Sequence, residues 1–217
     1  MANDIVYGRN PVREAQRGRR AVHRVWTAGE TDAAELTRLA GSPDHQGIVA
    51  EVDPFPYADP GSLLARPDAL VVALDQVQDP RNLGAICRSA EAAGAAGVVI
   101  PARRSAQVTA AAAKSSAGAV EHLAVARVRN LADWLAAARD AGAWVYGAVA
   151  GADTPYPNLD LSGRVVLVLG GEGGGIRPRV AAGCDVLTSI PTTGRIGSLN
   201  VSAAAAVLLF AASRAGS

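Results

Sequence analysis

Three segments of the chain carry residues that an ordinary helix or strand does not need. In LDQVQDPRNLGAICRSAEAAGAAGVVIP, residues 74 to 101, Asn82 opens a helix and Arg88 stands in its second turn, inside a run of Gly, Ala, Ile and Cys. A guanidinium is rarely buried without a partner, so Arg88 either pairs with a structural carboxylate or faces a ligand. In VVLVLGGEGGGIRPRV, residues 165 to 180, five glycines flank Glu172 directly after an apolar strand. Glycine there permits positive φ and lets a ligand approach the backbone closely; a tight turn with an exposed glutamate is the plainer alternative. In SIPTTGRIGSLNVSAAAAVLLF, residues 189 to 210, a loop with Gly194 and Gly197 leads to Ser198, Leu199 and Asn200 and then a long apolar helix. One cap residue is ordinary, but Ser198, Asn200 and Ser202 crowd a single helix start. Free N–H groups at such an end hold a carboxylate or orient an oxygen.

The elements that position these segments alternate in type. Apolar strand-like runs fall at 70–74, 98–100, 122–126, 144–149, 165–169 and 187–190, with helical patterns at 82–93, 106–117, 131–141 and from about 199 onward. Strands that are hydrophobic throughout, joined by helices, predict an α/β fold with a mainly parallel sheet covered on both faces. A shorter α/β pattern precedes it. Asn10-Pro11 reads as a cap followed by proline at the first helical position. Strands are expected at 22–26 and 48–52, with a helix from Thr31 or Asp32 to about Ala40. Three prolines within residues 53–61 then read as a linker. The resulting division is a small domain at 1–53, a linker at 54–69 and a main domain at 70–217.

Composition narrows the function classes. The longest uninterrupted apolar run, 203–212, is too short to span a bilayer, and the N-terminus shows no secretory h-region, so a cytoplasmic protein is expected. Cys87, Cys184 and three scattered histidines make no metal-ligand spacing, so no metal is expected and the thiols read as free and buried. The glycines match neither GxGxxG nor the phosphate loop that ends in Gly-Lys-Ser/Thr. Net charge is only +1, yet six arginines fall within residues 9–24. Guanidinium forks suit phosphate. On this basis Arg9, Arg17, Arg19 and Arg20 are candidate RNA contacts; a solvated helix face in an arginine-biased composition is the competing explanation.

Taken in order, NLGAICRSA, LGGEGGGI and IPTTGRIGSLNVSAAAA resemble the three signature motifs of the SpoU (TrmH) family of SPOUT RNA methyltransferases, over roughly residues 70–217. VYGRNPVREA and HQGIVAEV resemble the L30e-like substrate domain of the branch that methylates a 23S rRNA guanosine at its 2′-oxygen. That domain looks shortened here, because one helix separates two strands where the family has an additional strand and helix. The resemblance implies a C-terminal trefoil knot, S-adenosylmethionine as cofactor, RNA as substrate and a homodimer. By motif position Gly170, Ile190 and Leu199 contact the cofactor, with Gly194 and Ser198 close by. Arg88, Glu172, Ser198 and Asn200 form the catalytic constellation, supported by Asn82.

The chemistry suits these residue types. Methyl transfer from a sulfonium is an in-line displacement in which the protein places and activates the oxygen. The family proposal makes Arg88 the base. Arginine scarcely deprotonates in proteins, so a charged Arg88 that clamps the neighbouring phosphate is the alternative. Rival readings are a nucleotide-dependent oxidoreductase, a non-catalytic RNA-binding protein, and a methyltransferase acting on tRNA or on an antibiotic-resistance site of rRNA.

Overall fold

A computed structural model of the chain describes residues 3–195 and 197–215. In chain order the elements are β1 (Asp4–Tyr7), α1 (Arg9–Arg17), β2 (Val22–Thr27), α2 (Ala33–Ala40), β3 (Ile48–Val52), β4 (Leu70–Asp75), α3 (Pro80–Ala92), β5 (Gly97–Pro101), α4 (Ala110–Ser115), β6 (Val125–Val128), α5 (Leu131–Asp140), β7 (Trp144–Ala148), β8 (Thr154–Pro155), β9 (Val165–Gly170), α6 (Pro178–Ala181), β10 (Val186–Ser189) and α7 (Val201–Ala215). The chain gathers into two compact units. The first takes Met1–Pro56, Pro80–Arg88 and Gln107–His122; the second takes Tyr57–Asp79, Ser89–Ala106 and Leu123–Ser217. This partition falls differently from a division at residues 53 and 70.

The first unit holds a three-stranded sheet in the order β1-β3-β2. Both pairings are antiparallel, with Ala50 opposite Val6 on one side and Val25 on the other. Tyr7, Leu36 and Val49 form a buried cluster under it. Asp32 caps α2 as expected, its side chain accepting from the Glu35 N–H, and left-handed Gly41 ends the helix. Helix α1 corrects the Asn10 cap. It starts at Arg9, Gly8 at φ 96° is its cap, and the Gln46 side chain accepts from the Arg9 N–H at 3.1 Å.

Arg20 is a second correction. It lies inside the first unit, not on its surface. Its guanidinium donates to Glu121 Oε2 at 3.0 Å and also to Oε1, to Asp4 Oδ2 at 3.2 Å and to the Asp53 carbonyl at 3.1 Å. The Arg20 and Glu121 side chains are 3% and 1% exposed, which leaves no face for a phosphate. Glu121 sits in a short 3-10 turn, 119–121, that runs up to the expected start of a strand over 122–126. Gly118 at φ 91° starts that turn, and β6 begins only at Val125, opposite Val98 of β5.

The second unit holds a seven-stranded sheet in the order β6-β5-β4-β9-β7-β10-β8. Every pairing in it is parallel, as the apolar runs predict. All six residues of β4 are buried, the pattern of a strand covered on both faces. One buried cluster joins Val71, Ala73, Val99, Val166 and Val168 to Trp134 and Leu135 of α5. Much of the proline-rich stretch is packed structure. Ala58 bridges Ala126, Leu63 and Leu64 enter the core, and the Pro60 carbonyl accepts from Trp134 Nε1 at 3.2 Å. Prolines set its backbone, but its leucines give it something to bury. Both cysteines are free. Burial pushes the Cys87 thiol up to about 12 and that of the half-buried Cys184 to about 11, so neither is a ready nucleophile near neutral pH.

The Arg20 network yields a stability prediction. Glu121→Ala leaves a buried guanidinium without its two-pronged acceptor, and breaking such a pair costs about 3–5 kcal/mol. Urea unfolding of wild type and variant measures this; a loss below about 1 kcal/mol, as for a surface pair, would show that the network is not a buried charge pair.

Candidate functional site

Parallel strands send all their C-terminal ends to one edge of the sheet, and in the second unit that edge carries the glycine-rich loop. Its glycines serve different needs. A Cβ on Gly170 would lie 2.0 Å from the Gly175 carbonyl carbon and 2.3 Å from Ile176 N, and one on Gly171 would lie 2.3 Å from the Gln76 carbonyl oxygen. These two glycines let backbone lie on backbone. Gly173 and Gly175 take positive φ, and the Gly175 N–H returns to the Gly171 carbonyl at 3.1 Å. Gly170 is thus fixed by its own loop, and a larger residue there would break the loop before it met any ligand.

Asp75, at the end of β4, pins this loop at both ends. Its carbonyl accepts from Gly171 N–H at 2.8 Å. Its fully buried carboxylate accepts from the Arg177 N–H at 2.8 Å and takes the Arg177 guanidinium at 2.9 and 2.7 Å. The fork supplies the charge-assisted bonds that a buried carboxylate requires. Sequence reasoning missed this pair. An aspartate at a strand end and an arginine 102 residues later carry no local mark of each other.

Beside the loop opens a cleft of about 320 Å³, lined from β7 by Ala148, from β9 by Leu169 and Gly170, from β10 by Thr188, and then by Ile190, Ser198, Leu199, Val201 and Ala204. Four of the five expected cofactor residues, Gly170, Ile190, Ser198 and Leu199, therefore line one space. Gly194 is not among the lining residues. The lining from Ala148, Val149 and Thr188 was not foreseen, because strand-end residues of these types carry no chemical mark.

Glu172 and Asn200 meet at the rim of this cleft. Asn200 Nδ2 donates to Glu172 Oε1 at 2.8 Å. Asn200 Oδ1 accepts from the Ser202 N–H at 2.9 Å and the Ser202 hydroxyl at 2.6 Å, and its carbonyl accepts from Ala204 N–H. Asn200 is therefore the cap of α7 as well as the tether of Glu172, while Ser198 stands free of the capping role. Helix α7 buries Val201, Ala205, Leu208, Leu209 and Ala212, one stripe at helical spacing, and leaves Phe210 47% exposed.

Asn82 and Arg88 belong to the first unit. Helix α3 starts at Pro80, two residues before Asn82. Leu83, Ile86, Cys87 and Ala90 are buried on its inner face. Gly84 lets the helix approach α4, since a Cβ there would lie 1.9 Å from Ser115 Oγ and 2.4 Å from the Ala112 carbonyl oxygen. Arg88 lies on the outer face and is exposed, with no ion-pair partner among the described residues. The structural-carboxylate reading of Arg88 does not hold. Arg9, Arg17 and Arg19 are exposed, Arg17 lying 3.8 Å from Glu14. The described residues contain no group of three or more His, Cys, Asp or Glu able to hold a metal, and no helix of the structure is long and apolar enough to cross a membrane.

Comparison with known proteins matches residues 69–210 to the model of the SpoU rRNA Methylase family. A tRNA/rRNA methyltransferase of Mycobacterium avium is 48% identical over 85% of this chain, which spans 61% of that relative's length. One from Mycolicibacterium smegmatis is 43% identical over 95% of this chain and 74% of its own length. Among solved structures, the SpoU methyltransferase AviRb from Streptomyces viridochromogenes, in complex with the cofactor AdoMet, superposes with a TM-score of 0.84 at 26% identity, over 98% of this chain and 90% of its own. The AdoMet-bound rRNA methyltransferase from Sinorhizobium meliloti gives a TM-score of 0.86 at 25% identity, over 98% and 87%. The matched stretch holds the glycine loop, the cleft and the Glu172–Asn200 pair, and the chain belongs to the SpoU rRNA methylase family.

Proposed function

We propose that this protein methylates a ribose 2′-hydroxyl in structured RNA with S-adenosylmethionine, and that its target is a guanosine of 23S rRNA. The observation that carries the reading is the cleft bounded by Gly170, Ile190, Ser198 and Leu199, with Glu172 and Asn200 joined at its rim. Its volume and largely apolar walls suit a nucleoside-sized ligand. The AdoMet bound to two structural neighbours supports that choice of cofactor. Within the same proposal, the C-terminal segment is threaded as the family's knot, the first unit carries the L30e-like substrate function from residues 1–53, and the enzyme works in the cytoplasm as a homodimer. Phe210, exposed on α7, supports the dimer as an apolar residue that a second copy would cover.

Bound in this cleft, S-adenosylmethionine supplies a methyl group made electrophilic by its sulfonium. The chain's residues do the rest. Gly170, Ile190 and Leu199 hold the cofactor through backbone and apolar contacts. Asn200 fixes the Glu172 carboxylate, and Ser198, not engaged in capping α7, offers a hydroxyl to the ribose. In its motif role Arg88 stays protonated, holds the adjacent phosphate and stabilises negative charge on the 2′-oxygen as its proton passes to water, while the O–CH3 bond forms and the C–S bond breaks.

Incubation with methyl-labelled S-adenosylmethionine and deproteinised bacterial rRNA or tRNA, followed by nuclease digestion and mass spectrometry, tests the reading. The expected product is 2′-O-methylguanosine from 23S rRNA. A methylated base, or label confined to tRNA, would contradict the substrate assignment. Arg88→Ala is expected to lower turnover by about 10²–10³ with cofactor affinity unchanged, the loss typical of one removed transition-state donor. Arg88→Lys keeps the charge and is expected to retain part of the activity; a fully inactive Lys variant would contradict the charged role.

A further inference from the structure

The cleft is not the only feature at the C-terminal edge of the parallel sheet. The loops that follow β5, β6 and the glycine-rich turn bring five arginines and one carboxylate to a groove of about 800 Å³. Arg103 and Arg104 follow β5, Arg129 follows β6, and Arg177 and Arg179 follow the glycine loop; all five are exposed. Two of them have partners. Arg177 is committed to Asp75, and Arg179 reaches Asp133, the groove's one carboxylate, at 3.2 Å. Arg103, Arg104 and Arg129 have no ion-pair partner among the described residues. Nearby Arg127 lies with its guanidinium 3.8 Å over the Tyr57 ring, so its head group is already stacked.

Like charges gathered without counter-charges repel, and the groove stands ready for an anion. Guanidinium forks fit phosphate oxygens, and three of them spread over two loops fit a chain of phosphates better than one small ion. The sheet order places this groove at the β5–β6 end of the edge and the cleft at the β9–β7–β10 end. At about 4.8 Å between strands, β5 and β6 lie about 10 and 14 Å from β9. A polynucleotide with one ribose at the cleft would carry its flanking phosphates over the arginines. Charged residues on the edge strand β6 also discourage edge-to-edge pairing, which accounts for Arg127 but not for Arg103, Arg104 and Arg129 in loops.

Resting on the function proposed above, we infer that this groove is a phosphate track for the RNA strand flanking the target nucleotide. The second unit then contributes to RNA affinity through its own residues, independently of the arginines near the N-terminus.

The test uses the full chain. Arg103→Gln, Arg104→Asn and Arg129→Gln are combined in one variant; asparagine suits residue 104, whose φ is 57°. A control variant removes equal charge elsewhere through Arg38→Gln, Arg66→Gln and Arg214→Gln. Binding of a fluorescein-labelled short RNA hairpin is followed by anisotropy across a KCl series, and S-adenosylmethionine binding by calorimetry. The groove variant is expected to lose at least about tenfold in RNA affinity and to flatten the slope of log K against log[salt] by about 2–3, since each lost phosphate contact removes about 0.7–0.9. The control should change much less, and cofactor affinity should hold in both variants. A groove variant indistinguishable from the control, or a wild type that does not bind the hairpin, would overturn the proposal. So would unchanged RNA binding with loss of affinity for polyglutamate, which would assign the groove to an acidic protein. Failure of wild type to bind S-adenosylmethionine would instead sink the functional reading and leave the RNA comparison decisive for the groove.

Discussion

The glycine-rich loop depends on one buried carboxylate. Asp75 has no solvent exposure, and it binds the loop where it leaves β9 and again where it ends at Arg177. A desolvated carboxylate is costly unless several donors surround it. Here the Arg177 N–H and guanidinium supply them, so the loop cannot move away without stranding the charge. The loop in turn forms one wall of the cleft and carries Glu172 toward Asn200 at the start of α7. Strand end, loop, cleft and helix start are linked through three short polar contacts.

The first unit uses the same physics with the signs exchanged. There a buried guanidinium, Arg20, gathers the carboxylates of Glu121 and Asp4 and the Asp53 carbonyl. Arginine does three jobs in this chain. It neutralises buried carboxylates at Arg20 and Arg177, stands exposed on α3 at Arg88, and lines an open groove at Arg103, Arg104 and Arg129. Since lysine occurs only once, at Lys114, residue type alone cannot sort these jobs; the partners must be known.

Those partners decide what the sequence makes legible. The parallel sheet is readable because β4, β9 and their neighbours are apolar throughout, and the α2 cap because Asp32 precedes a clean helical pattern. The cleft is readable because its walls come from ordered motifs. Arg20 is misread because Glu121 lies 101 residues away, so a buried fork looks like one more member of a basic cluster. Asp75 goes unnoticed for the same reason. Strand β6 begins later than local hydrophobicity suggests because the turn that starts at Gly118 and holds Glu121 closes at His122, the expected first residue of the strand. The short strands β1 and β8 leave no periodic mark. The arginine groove is assembled from three loops distant in sequence, and only the sheet order brings them together.

The claim that one buried aspartate holds the loop that shapes the cleft proposed for S-adenosylmethionine is tested most directly by calorimetric titration of Asp75→Asn with that cofactor. Asparagine keeps the shape of the side chain and removes the charge that draws Arg177 in. Hydrogen bonds to charged groups contribute about 1.5–3 kcal/mol, so affinity is predicted to fall at least about tenfold in a protein that still folds cooperatively. A folded Asp75→Asn protein that binds S-adenosylmethionine as tightly as wild type would contradict the account.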